Sequence, residues 1–94
     1  MRLLKARDID RALKKKGFVE EYGKRHVKYH LQIDGKLTGI STGMSYGSGE
    51  PRQTLLHQIK NEMGFDDSDD FENYVDCTMS YEQYVAYLKR NGKV

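Results

Sequence analysis

Asp34-Gly35 separates two runs in which apolar and polar side chains alternate. An Asp-Gly pair in that setting is a strong signal for a two-residue hairpin turn, because both residues accept the left-handed backbone the turn requires. The dipeptide thus predicts an antiparallel pair of strands, His26 to Ile33 and Lys36 to Thr42. Successive side chains of a strand point to opposite faces. Val27, Tyr29, Leu31 and Ile33 share an apolar face that belongs against a core, while His26, Lys28, His30 and Gln32 share the other. Leu37 and Ile40 are the apolar residues of the later strand. Gly39 between them is placed for a bulge, after which the two need not face opposite ways.

A weaker alternation over Phe18 to Tyr22 predicts one more strand, joined to His26 by a Gly23-Lys24 turn. Ahead of it, Ile9, Ala12 and Leu13 recur at helical spacing within residues 6–17. Lys14, Lys15 and Lys16 crowd the end of that helix, where cations suit the dipole, and Gly17 is placed to cap it. After the strands, Gly43 to Gly49 reads as a glycine-rich connection and Pro51 stands where a second helix starts. Leu55, Leu56, Ile59 and Met63 form the apolar stripe of that helix, and Gly64 ends it. The order is helix, three antiparallel strands, helix: an α+β chain whose helices cover one face of the sheet and leave the other to solvent.

Residues 66–94 extend this unit. Asp66 to Asp70 suit a loop and an acidic first turn, and Phe71, Tyr74 and Val75 supply the apolar side of a short helix. Ser80-Tyr81-Glu82-Gln83 is a capping box, with Met79 placed to staple onto Tyr84. Tyr81, Tyr84, Val85 and Leu88 carry the stripe of the last helix. At 94 residues the chain makes one domain, residues 1–65 as its core and 66–94 packed on it.

Charge is unevenly spread. Residues 1–36 hold 11 Lys/Arg against 5 Asp/Glu, and residues 37–94 hold 5 against 9. A basic half points to an anionic partner, nucleic acid being the commonest. No apolar run approaches the ~18 residues of a membrane span, and charge interrupts Met1 to Arg7 too early for a signal peptide; the expected location is cytoplasmic. Cys77, the single cysteine, has no disulfide partner and none of the spaced ligands of a zinc site; it is expected as a small core side chain.

The chemistry available centres on Gly23-Lys24-Arg25-His26-Val27-Lys28-Tyr29. A histidine flanked by Arg25 and Lys28 on an open strand face can meet a phosphate and move a proton. His30 lies on the same face but about 13 Å along the strand, too far to share a metal or a phosphate with His26. No metal site and no cofactor is expected. His57 falls on the polar side of the second helix. The glycine-rich connection lacks the Gly-Lys-Ser/Thr ending of a P-loop, and Glu50 at the helix start would compete with an anion.

These pieces resemble a known family. Leu13-Lys14-Lys15-Lys16-Gly17-Phe18 is similar to the Leu-Lys-x-x-Gly-Phe opening of HicA-type toxins, and Gly23 to Tyr29 resembles their Gly-Ser-x-His segment. Glu50 to Ile59 resembles the start of their second helix, with Gly64 at its end. The likeness covers about residues 5–65 and departs from the family at Lys24, where serine is usual, and in the added tail. It implies a double-stranded-RNA-binding-like α-β-β-β-α fold and an mRNA interferase, a metal-independent endoribonuclease of a toxin–antitoxin pair neutralised by a HicB-like antitoxin. It implies His26 as the catalytic residue. Lys24, Arg25 and Lys28, with Lys14, Lys15 and Lys16, are the candidate RNA-binding side chains. Two other readings stand beside it: a non-catalytic RNA-binding module, and a protein-interaction domain that docks through its C-terminal helices.

Overall fold

Ile9, Ala12 and Leu13 are fully buried along one side of the first helix, α1 (Ala6–Lys15), in a computed structural model that describes residues 1–45 and 49–94. Lys5 caps the helix without a side-chain hydrogen bond, and Glu50 arrives from across the chain to accept from the Ala6 amide at 3.2 Å. Glu50 is therefore placed at the start of α1, where its charge suits the dipole, rather than guarding the second helix. Gly17 follows with φ +93, and a Cβ there would lie 2.4 Å from the Tyr81 ring. Glycine is needed for the left-handed turn and again for the close approach of a helix more than sixty residues later.

The sheet has the order β1 (Phe18–Tyr22), β2 (His26–Ile33), β3 (Lys36–Ser45), all antiparallel. Asp34 at φ 54 and Gly35 at φ 77 make the expected tight turn. The register breaks between His30 and Gln32, opposite Thr38 to Ile40, so Gly39 lies in a bulge as expected. Thr38 Oγ1 donates to the Leu31 carbonyl at 3.1 Å and accepts from the Ile40 amide at 3.2 Å, holding the bulged strand to its neighbour. Ile40 packs on the core, whereas Leu37 stays exposed. β3 runs three residues past the expected Thr42, because Gly43, Met44 and Ser45 still pair with Lys28, Val27 and His26. The middle of the glycine-rich connection, residues 46–48, lies outside the described residues.

Three helices follow: α2 (Gln53–Glu62), α3 (Ser68–Val75) and α4 (Tyr81–Arg90). Pro51 precedes the α2 cap, Arg52, instead of standing in the first helical turn. Asp67 caps α3 by accepting from the Asp69 amide at 2.7 Å, and the Ser80–Gln83 box opens α4. α3 packs against both α1 and α2, and the buried sides of these helices meet Val27, Tyr29 and Leu31 of the sheet in one core. The added segment supplies much of that core. Phe65 has its ring centroid 5.1 Å from Tyr84, 5.4 Å from Tyr87, 6.0 Å from Tyr74 and 6.2 Å from Phe71. Tyr84 also lies 6.1 Å from Phe18, and its hydroxyl donates to the Met63 carbonyl at 2.6 Å. The apolar stripes of α3 and α4 are spent inside the molecule.

Two expectations about single side chains fail. Cys77 is exposed, at φ 66. It sits just past the end of α3, where its amide donates to the Tyr74 carbonyl and the Thr78 amide to the Asn73 carbonyl. That is the left-handed helix stop usually given to glycine. Lys16 is 6% exposed, so it is buried rather than offered to phosphate. Its ammonium donates to the carbonyls of Tyr74 and, at 2.8 Å, Met79, and lies 4.5 Å from the centre of the Tyr74 ring. Tyr74 returns a hydrogen bond to the Lys16 carbonyl at 3.2 Å. Lys16 thus ties the end of α1 to the turn after α3.

Candidate nucleic-acid interface

The hairpin between β1 and β2 closes at the Tyr22–Val27 pair, with the Gly23 amide donating to the His26 carbonyl at 2.8 Å. A Cβ on Gly23 would stand 3.2 Å from His26 Nε2 and 3.3 Å from its carbonyl oxygen. The bare glycine lets the imidazole fold back against the turn. Lys24 and Arg25 are exposed at the tip, and alternation sends His26 and Lys28 out through the open face while Val27 turns inward at 5% exposure.

The two histidines of that face differ. His30 Nε2 is held 3.1 Å from Glu21 Oε1, and the ring is half-buried. His26 is exposed, and among the described residues no side chain forms a hydrogen bond with its ring. It borders two hollows: one with Glu21, Tyr22, Gly23 and Lys28, the other a larger one, about 500 Å³, extending over β3 to α2.

The structure therefore gathers Lys24, Arg25, His26 and Lys28 and separates them from the lysines of α1. Lys14 pairs with Asp10 at 3.1 Å and Glu20 at 3.6 Å, and the hydrogen bond it donates to Asp10 holds its pKa above the ordinary lysine value. It lies on the helix-covered side of the sheet, beside Asp10, Tyr22 and Tyr29. Lys15 is exposed on the same helix, and Lys16 is buried. Part of the basic half is also answered from within: Arg2 binds Asp76 at 2.6 Å and Glu72 at 3.6 Å.

No protein-family model, curated protein or solved structure matches this chain. The site thus rests on its own residues. Among the described residues no group of three or more His, Cys, Asp or Glu side chains is placed to hold a metal ion, and no helix is long and apolar enough to cross a membrane.

Reading the sequence did not single out Leu55, Gln58 and Glu62 of α2, nor Ser41, Gly43 and Ser45 of β3, as lining a site; these border the larger hollow. Their signals are faint. Small residues occupy alternate positions 41, 43 and 45, and positions 55, 58 and 62 run along one flank of α2 at helical spacing.

Proposed function

We propose that this chain is an RNA-cleaving toxin of the HicA type with a double-stranded-RNA-binding-like core, acting on mRNA in the cytoplasm and restrained by a HicB-like antitoxin. The observation that carries the reading is the solvent-facing His26 at the mouth of a turn bearing Lys24 and Arg25, with Lys28 beside it on the same face. In the reaction, His26 takes the proton of a ribose 2′-hydroxyl as that oxygen attacks the adjacent phosphorus. The bond to the 5′-oxygen breaks, leaving a 2′,3′-cyclic phosphate, and the departing oxygen takes a proton from water or a neighbouring lysine. Arg25 and Lys28 hold the non-bridging oxygens and stabilise their growing charge. No metal takes part in these steps.

General base help of this kind contributes roughly 10²–10⁴-fold. Purified protein is expected to cut single-stranded RNA in EDTA, and His26→Ala to cut it slower by about that factor with an unchanged melting temperature. Intact RNA with the parent protein, or equal rates for the variant, defeats the catalytic reading.

That no side chain among the described residues bonds the His26 ring favours one further reading, a module that binds RNA without cutting it, since a working base is ordinarily oriented by another group. That reading expects salt-sensitive binding that survives His26→Ala, with no cleavage by either protein.

A further inference from the structure

Across β2 and β3 the outward side chains pair large with small: His26 faces Ser45, Lys28 faces Gly43 and His30 faces Ser41. The small residues leave a trough along β3, and Leu55, Gln58 and Glu62 of α2 form its wall. From Ser45 to Ser41 the strand extends about 13 Å, enough for one nucleotide from phosphate to base edge. The trough is polarised. His26 and Lys28 make its strand side cationic, whereas Thr42, turned to the helix side of β3, donates through Oγ1 at 2.8 Å to Glu62 Oε1 and fixes a carboxylate on the α2 side. The second carboxylate oxygen retains its capacity to accept.

An anion is repelled by Glu62 on the α2 side, so a nucleotide must enter with its phosphate against His26 and Lys28. Its base edge then meets a carboxylate and the Gln58 amide. Adenine, cytosine and guanine each offer an exocyclic amino group there, and a carboxylate accepting from such a group is an established pairing. Uracil offers one N–H between two carbonyl oxygens, which the carboxylate repels. A duplex cannot enter, because its base edges are already paired.

We propose that this trough is a nucleobase pocket for one nucleotide of single-stranded RNA, reading an exocyclic amino group through Glu62 and Gln58 and rejecting uracil. The proposal rests on the RNA-acting reading above and adds the strandedness and base preference of its substrate.

The test is direct binding of the full chain to 2′-O-methylated decamers of adenylate, cytidylate and uridylate at one fixed salt concentration, the methyl group preventing cleavage. The adenylate and cytidylate decamers are expected to bind about tenfold tighter than uridylate. Glu62→Gln keeps an acceptor for Thr42 and removes the charge; it should bring the ratio to about twofold or less without weakening uridylate. Ser41→Trp, checked by circular dichroism for folding, should fill the trough and bring all three decamers to the uridylate affinity. Equal binding of all three by the parent, or a preference that survives Glu62→Gln, overturns the pocket while leaving an RNA-binding protein. Failure to bind any decamer overturns the RNA reading and the pocket with it.

Discussion

On one side of β2, Val27, Tyr29 and Leu31 are 5%, 1% and 0% exposed, packed in one core with the buried sides of the helices and the rings around Phe65. One residue away, on the other side, His26 and Lys28 reach solvent beside the small residues of β3. The first side resists change because its rings converge on Phe65, with Phe71, Tyr74, Tyr84 and Tyr87 around it. The second side presents His26 and Lys28 to solvent, with His30 further along it tied to Glu21. The covered side of the strand thus carries the fold, and the open side carries the residues proposed to meet RNA, so the proposal expects each to be broken without the other.

Phe65→Ala is the hardest test of that separation. The ring is 1% exposed and surrounded by Tyr74, Tyr84, Tyr87 and Phe71, so its removal leaves a cavity among residues from α3 and α4. A loss of about 3–5 kcal/mol is expected in urea unfolding, with RNA affinity unchanged for the fraction that remains folded. A variant that loses RNA binding while still folded would show that the two sides are coupled.

A smaller effect follows from titrating the buried side alone. Burial raises the hydroxyl pKa values of Tyr74 and Tyr84 above the ordinary tyrosine value, and burial followed by the hydrogen bond to Asp10 raises that of Tyr29. Below pH ~10 both folded and unfolded chains keep these protons. Above it the unfolded chain releases them while the folded chain does not, so stability falls as pH rises, by about 1.4 kcal/mol per pH unit for each fully buried tyrosine. Lys16 works the other way. Burial lowers its pKa, so between that lowered value and ~10.5 the unfolded chain binds the extra proton and the lysine's own contribution rises with pH. Three tyrosines outweigh one lysine. Urea midpoints should drop from pH 9 to 11, and Tyr84→Phe should flatten that drop; an equal slope in both proteins would mean that Tyr84 does not retain its proton.

The elements that local chemistry dictates were legible in the sequence. The Asp34-Gly35 turn, the alternation of β2 and the Ser80–Gln83 box each state their geometry within a few residues, and the structure has all of them. What long-range packing decides was not. β3 extends to Ser45 through Gly43 and Ser45, which carry no apolar period, so only pairing with β2 reveals them as strand. Phe65 stands between a glycine and an acidic run with no periodicity around it, yet rings from α3 and α4 converge on it. Lys16 looks like its two lysine neighbours until Tyr74 and Met79 arrive from sixty residues away to take its ammonium. For the candidate site, alternation placed His26 and Lys28 on one face. The wall made by α2 depended on how that helix lies along β3, which no local pattern encodes.

The smallest effect lies at Cys77, where the helical side of the molecule reaches solvent. The residue holds a left-handed backbone at φ 66, and its thiol lies 3.9 Å from the Val75 carbonyl and close to the Lys16 ammonium. A β-carbon in that conformation costs roughly 1–2 kcal/mol, and glycine escapes this cost while losing more chain entropy on folding. Cys77→Gly is therefore expected to stabilise the protein by about 0.5–1 kcal/mol. Cys77→Ala keeps the β-carbon and should leave stability within about 0.5 kcal/mol of the parent. Thermal melts of the two variants separate backbone from side chain. Gain in the glycine variant alone assigns the cost to the turn after α3. A loss in both would mean that the thiol itself contributes to the contacts around the buried Lys16, and that the covered side of the molecule extends out to this exposed residue.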